Sequence, residues 1–136
     1  MIDGVKITNL KKIEDNRGSV LHMLRNDSEI FKSFGEIYFS ISLPSAVKAW
    51  HIHKEMILNY ACIAGTIELV LYDDRVNSKT KNQVQKIILS PNNYFLVTVP
   101  PLIWNGFKNI SQDNAILANC SSVPYRDDEI IRKSHF

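Results

Sequence analysis

His51 and His53 are separated by one residue in the run Ala49-Trp50-His51-Ile52-His53. In an extended strand, residues two apart share a face, so the two imidazoles stand side by side, opposite Trp50 and Ile52. Such a pair can share a metal ion, share a substrate, or divide acid and base work near neutral pH. A zinc or facial-iron site needs a third ligand in the same cavity, and Glu55 has the strand parity for it where the strand ends. The same alternation places Tyr38, Ser40 and Ser42 on one face of their run and Ile37, Phe39 and Ile41 on the other. A polar, aromatic face lines a ligand cavity in a small closed barrel and faces solvent on an open sheet; the residues alone leave both readings open. Cys62 and Cys120 lie among apolar or small residues and read as buried structural thiols.

Short apolar and β-branched runs must position these groups. They fall at 5–10, 19–25, 36–43, 47–53, 58–64, 66–72, 83–89, 94–100, 103–108 and 115–121. Turn clusters such as Asp15-Asn16-Arg17-Gly18, Ala64-Gly65, Ser90-Pro91-Asn92-Asn93 and Pro100-Pro101 separate them. Helical periodicity is nearly absent, and one short helix is predicted over 28–34, opened by Asp27 or Ser28. With no repeat, linker or break in composition, the pattern is that of a single all-β domain over 1–136, a sandwich or barrel.

The 136 residues, 45% hydrophobic and 22% charged, suit one globular core. Five Gly and five Pro exclude a collagen-like chain, and no apolar run approaches the roughly 20 residues of a membrane span. The start, Met-Ile-Asp-Gly-Val-Lys, lacks the basic and apolar segments of a secretory signal, so a cytoplasmic location is expected. Sixteen basic and fourteen acidic residues are scattered without a basic stripe, which argues against nucleic acid as partner.

Taken together, His51-x-His53, Gly65 and Pro100-Pro101-Leu102-Ile103-Trp104-Asn105-Gly106-Phe107 resemble the two halves of a cupin barrel, an antiparallel β jelly roll. Within the cupins the chain is similar to dTDP-4-dehydrorhamnose 3,5-epimerases. Asp15-Asn16-Arg17-Gly18 matches their D-x-R-G, Lys48-Ala49-Trp50-His51 their R-G-L-H, and Tyr72 to Thr80 their V-D-x-R-x-x-S-x-T, in register from about Asp15 to Glu129. It also resembles the shorter dTDP-4-oxo-6-deoxyglucose 3,4-ketoisomerases, through Tyr38-Phe39 and His51-Ile52-His53-Lys54. The departures are specific. The metal cupins' glutamate falls at Leu58 and their second histidine at Asn105, the epimerase lysine also falls at Leu58, and the epimerase tyrosine falls near Val123 and Pro124, just before Tyr125.

The resemblance implies an isomerase of nucleotide-diphosphate 4-keto-6-deoxy sugars, working without metal or other cofactor as a cytoplasmic homodimer. It implies epimerisation at C3, C5 or both, with 3,4-ketoisomerisation as the alternative and non-catalytic sugar-nucleotide binding as a third reading. His51 is then the base that removes the proton beside the C4 ketone, and His53 is its partner or a second proton carrier. Tyr38 is the expected acid, with Tyr125 as the alternative. Lys48 would stabilise the enolate, Arg17 and Arg25 would hold the diphosphate, and Ser40 and Asn105 would touch substrate. Tyr60 and Tyr72 are expected to pack within the sheet.

Overall fold

A computed structural model describes residues 1–135. In it the alternating runs become strands: β1 (Lys6–Asn9), β2 (Lys12–Asp15), β3 (Gly18–Leu21), β4 (Glu36–Ser42), β5 (Val47–His53), β6 (Leu58–Ala64), β7 (Ile67–Tyr72), β8 (Val84–Leu89), β9 (Phe95–Val99), β10 (Trp104–Asn109), β11 (Ala115–Ser121) and β12 (Ile130–Arg132). A 3-10 turn at Asp127–Glu129 precedes the last. Two five-stranded antiparallel sheets, ordered β1-β9-β6-β11-β4 and β12-β5-β10-β7-β8, face one another, while β2 and β3 form a separate hairpin. This is the single-domain cupin jelly roll that the sequence predicts. Among the described residues no helix is long and apolar enough to cross a membrane.

The core follows from side-chain parity. In β7, Ile67, Leu69 and Leu71 point inward and are fully buried, and they meet Leu58, Val97 and Leu117 from the facing sheet. Each such side chain contributes about 1.5–3 kcal/mol when withdrawn from water. Gly65 turns the chain from β6 into β7 at φ +70°, and a Cβ there would come within 2.7 Å of the Ala115 backbone. Glycine is required on both counts.

The helix expected over 28–34 is absent, and the segment is a series of turns. The end of the segment is tied to β11 and the residue after it, with the Ser33 hydroxyl donating to Ser122 O and the adjoining Gly35 N to Ser121 O. Its apolar groups are needed as a cover. Ile30 joins Leu21, Met23 and Leu24 over Ala61, Tyr94 and Leu96 on the outer face of the first sheet. Tertiary cover thus overrides the local cap signal. The run at 19–25 is strand only as far as Leu21 for the same reason.

Where β7 ends, Asp73 has no exposure to solvent. It accepts from Arg75 Nε at 2.9 Å and from the hydroxyls of Ser78 and Thr80, each at 2.6 Å. The Arg75 guanidinium holds its carboxyl well below the usual carboxylate range against the opposing effect of burial, and the two hydroxyls reinforce the shift. Asp73→Ala should therefore lower the unfolding free energy at neutral pH by about 3 kcal/mol, as breaking a buried charged network does. Because the native carboxyl is depressed, the wild-type advantage is complete above the ordinary carboxylate value near 3.9 and fades as pH falls below it. Denaturation curves of both proteins across that range test the sign.

Candidate active site

A cavity of about 480 Å³ opens between the two sheets. β4 contributes Glu36, Tyr38 and Ser40, β5 contributes Lys48, His51 and His53, β6 contributes Tyr60, and β11 contributes Asn119. Tyr125 and, from β12, Arg132 complete its polar wall. The polar face of β4 is thus an inner face, and the apolar side chains of Ile37, Phe39 and Ile41 are the exposed ones.

The two imidazoles share this cavity as strand parity requires, their ring centres 5.5 Å apart and their planes at 85°. Lys48 lies three residues before His51, so plain alternation would send it to the other face. Pairing between β10 and β5 slips between Asn105 and Phe107, setting His51 opposite Asn105 but Lys48 opposite Phe107. This bulge re-aims Lys48 into the cavity. Gly106 permits it, since a Cβ there would approach Ala49 Cβ to 2.6 Å.

The histidines have different anchors. His53 Nδ1 bonds Glu129 Oε1, and Glu129 Oε2 accepts from the backbone N–H groups of Glu55 and Met56 at 3.3 and 3.2 Å. Burial works to raise the Glu129 carboxyl, but the hydrogen bonds from His53 and from the Glu55 and Met56 amides prevail and hold it below its ordinary value. An ionised carboxylate only accepts, so Nδ1 of His53 carries the hydrogen and Nε2 is the nitrogen left for chemistry. His51 has no carboxylate. Burial, the neighbouring His53 and the positive charge of Arg132 push it down to about 4, so that it is neutral with a free electron pair at neutral pH.

The tyrosines are told apart by where their protons go. Asn119 Oδ1 is occupied by the Asn59 N–H at 2.9 Å, so its Nδ2 donates to the Tyr38 hydroxyl, also at 2.9 Å. Tyr38 is therefore an acceptor toward the protein, and among the described residues nothing takes its proton. Burial raises its ionisation above the ordinary phenol value, so the proton is held at neutral pH. Tyr125 donates to Asp127 Oδ1 at 2.6 Å and accepts from Arg132 at 3.3 Å, which commits its proton at the surface.

Of the residues expected from sequence, His51, His53, Tyr38, Tyr125, Lys48 and Ser40 come together on the cavity wall. Lys48 Nζ ties β5 to β4 through Ser40 Oγ and Ile41 O, both at 2.8 Å. Asn105 is fully buried behind the wall rather than on it, bonded to Tyr60 and to the His51 carbonyl. Arg17 and Arg25 lie outside the cavity, on exposed turns where each guanidinium is held by its own neighbour, Asp15 and Asp27. Glu55 is likewise exposed and pairs with Arg126. Tyr60 is not mere sheet packing, because its hydroxyl reaches the cavity beside His51.

The sequence reading missed Glu129 and Arg132, which lie at and beyond the end of the recognised motifs. Ile130-Ile131, a β-branched pair flanked by charges, was the available signal for a last strand.

A family model described as WxcM-like, C-terminal (FdtA) matches residues 3–136. The chain belongs to that family. It is 31% identical over 120 residues to the probable low-salt glycan biosynthesis epimerase Agl13 of Haloferax volcanii, covering 87% of this chain and 77% of that protein. It is 30% identical over 129 residues to the spore coat polysaccharide biosynthesis protein SpsL of Bacillus subtilis, covering 95% and 85%. A solved dTDP sugar isomerase from Desulfovibrio desulfuricans G20 superposes with a TM-score of 0.94 at 42% identity, covering 97% of this chain and 85% of that one. These likenesses place the chain among cupins of the sugar epimerase and isomerase type.

The low affinity of His51 for a proton is open to direct measurement. In an NMR titration of ring-labelled histidine, His51 should stay neutral through the region near 6.5 where a free imidazole charges, and titrate only toward about 4.

Proposed function

We propose that this protein epimerises a nucleotide-diphosphate 4-keto-6-deoxy sugar by proton abstraction beside the C4 ketone, without a metal or other cofactor. The observation that carries the reading is one cavity lined from its two facing sheets by a neutral, buried imidazole and by a tyrosine whose proton no group among the described residues accepts. These are the base and the acid that inversion of a carbon needs, and a positioned pair of this kind is worth about 10²–10⁴ in rate for each proton transfer.

In the proposed step His51 takes the proton from the carbon next to the ketone, and the C–H electron pair passes to the C4 oxygen as an enolate. Lys48 and Arg132 are the cations on the cavity wall, and in a low-dielectric site they stabilise that charge. Tyr38 then gives its proton to the opposite face of the carbon, leaving it inverted, and is reprotonated from solvent. Arg132 takes the place of Arg17 and Arg25 as the guanidinium best placed for the diphosphate, since it alone of the three lines the cavity.

A second reading, 3,4-ketoisomerisation, draws on the two imidazoles standing 5.5 Å apart. One could take the C3 proton while the other helps return it to C4, with the hydroxyl proton moving to the former ketone oxygen. Two buried free thiols, Cys62 and Cys120, favour the reducing cytoplasm. The homodimer is supported by β4, an edge strand whose outward Ile37, Phe39 and Ile41 are 52%, 58% and 58% exposed.

Incubation with dTDP-4-keto-6-deoxyglucose in deuterated water, followed by proton NMR, tests the reading. Deuterium at C3, C5 or both is expected, with product identity separating epimer from ketoisomer; a bound sugar that never exchanges would leave a binding protein. His51→Ala should lose about a hundredfold or more in exchange rate with the fold intact. Tyr38→Phe should be impaired and Tyr125→Phe should not. For the dimer, light scattering should give twice the chain mass for wild type, and Phe39→Glu should shift it toward the monomer.

A further inference from the structure

Tyr60 is buried against the cavity wall in a place where packing alone would suit phenylalanine, yet its hydroxyl sits in a chain of three polar groups. It lies 2.9 Å from Asn105 Oδ1 and 3.4 Å from His51 Nε2. Asn105 stands opposite His51 on the adjoining strand, and its orientation is fixed from the other side. Its Nδ2 faces the carbonyl oxygens of His51 at 3.3 Å and Ile103 at 3.5 Å, which can only accept.

The direction of the whole chain follows. With the amide nitrogen turned to two carbonyls, Oδ1 must face Tyr60, and an amide oxygen only accepts, so Tyr60 spends its single proton there. Its oxygen can then only accept from His51, and Nε2 must carry the hydrogen. Burial keeps the phenol intact, well above its ordinary ionisation range.

We propose that Tyr60, oriented by Asn105, is a positioning residue that fixes His51 as the Nε2–H tautomer and leaves Nδ1 as its basic nitrogen. The inference rests on the reading of His51 as the base. The two histidines thereby work through opposite nitrogens, since Glu129 occupies Nδ1 of His53 and Tyr60 occupies Nε2 of His51. They also differ in what stands behind them, a negative charge for His53 and an uncharged phenol for His51.

Nitrogen-15 NMR of histidine-labelled, substrate-free protein reads the tautomer without reference to activity. Wild-type His51 should show Nε2 protonated and Nδ1 bare at neutral pH. Free imidazole already leans that way, so the discriminating variant is Asn105→Ala. There Tyr60 regains its proton for Nε2, and His51 should switch to the Nδ1–H form. The double variant Asn105→Ala, Tyr60→Phe should return it to Nε2–H. A wild-type Nδ1–H form, or a folded Asn105→Ala protein that keeps Nε2–H, overturns the proposal. If Asn105→Ala does not fold, a wild-type Nδ1–H form still overturns the proposal, and the Tyr60→Phe kinetics below decide the positioning role.

In deuterium exchange, Tyr60→Phe should lower kcat about threefold to tenfold with little change in KM, the effect of one uncharged hydrogen bond. An unchanged kcat in that variant, with His51→Ala inactive, overturns the positioning role and spares the base. The predicted tautomers in a protein whose His51→Ala variant exchanges normally would do the reverse.

Discussion

A carboxylate withdrawn from water must be surrounded by donors, and the Glu129 side chain meets that demand at the end of β5. It gathers the ring of His53 and the amides of Glu55 and Met56, groups that lie 73 to 76 residues before it in the sequence. The same contact holds the last strand against β5, where Ile130, Ile131 and Arg132 pair with His53, Ile52 and His51. Arg132 and Tyr125 reach the cavity only because that segment is held there. One buried hydrogen bond therefore sets the orientation of a histidine, seals an edge of the second sheet and brings a guanidinium to the cavity wall. Removing His53 would leave the Glu129 carboxylate short of a donor in the interior, the costly way to break such a contact.

Around this anchor, the cavity is organised less by which polar groups are present than by the direction of each hydrogen bond. Three tyrosines line it, and each disposes of its proton differently: Tyr60 to Asn105, Tyr125 to Asp127, and Tyr38 to no group among the described residues. Buried asparagines do the sorting, because an amide offers donors at one end and an acceptor at the other. Asn119, turned by the Asn59 backbone, leaves a tyrosine free to donate; Asn105, turned by two carbonyls, takes a tyrosine's proton away. Similar side chains thus acquire distinct chemistry from their second neighbours.

Much of the barrel was legible in the chain because a half-buried strand writes its parity into the sequence. β7 and β4 show this in opposite senses, the first apolar inward and the second polar inward, and both alternations can be read directly. The pairing of His51 and His53 follows from the same rule. The helix expected at 28–34 failed because a cap signal is local, whereas the cover over Ala61 and Leu96 is a demand of the assembled sheet. Lys48 reached the cavity by a bulge that no spacing rule announces. Glu129 and Tyr60 could not be found by motif, since their roles are defined by contacts across 76 and nine residues of chain respectively. Arg17, a motif position, and Arg25 illustrate the converse, since the folded chain leaves both on its own surface.

The inverted polarity of β4 has a consequence for how the cavity responds to dilution. Tyr38 and Phe39 are neighbours on an edge strand whose one paired strand among the described residues is β11. Whatever covers the outward phenylalanine also stiffens the inward tyrosine, so Tyr38 and the apolar stripe share one mechanical fate. If a second copy supplies that cover, the order of Tyr38 becomes a function of protein concentration through mass action, while that of the deep core beneath β7 does not. Catalytic competence and foldedness would then part company in dilute solution, the first declining while the second persists.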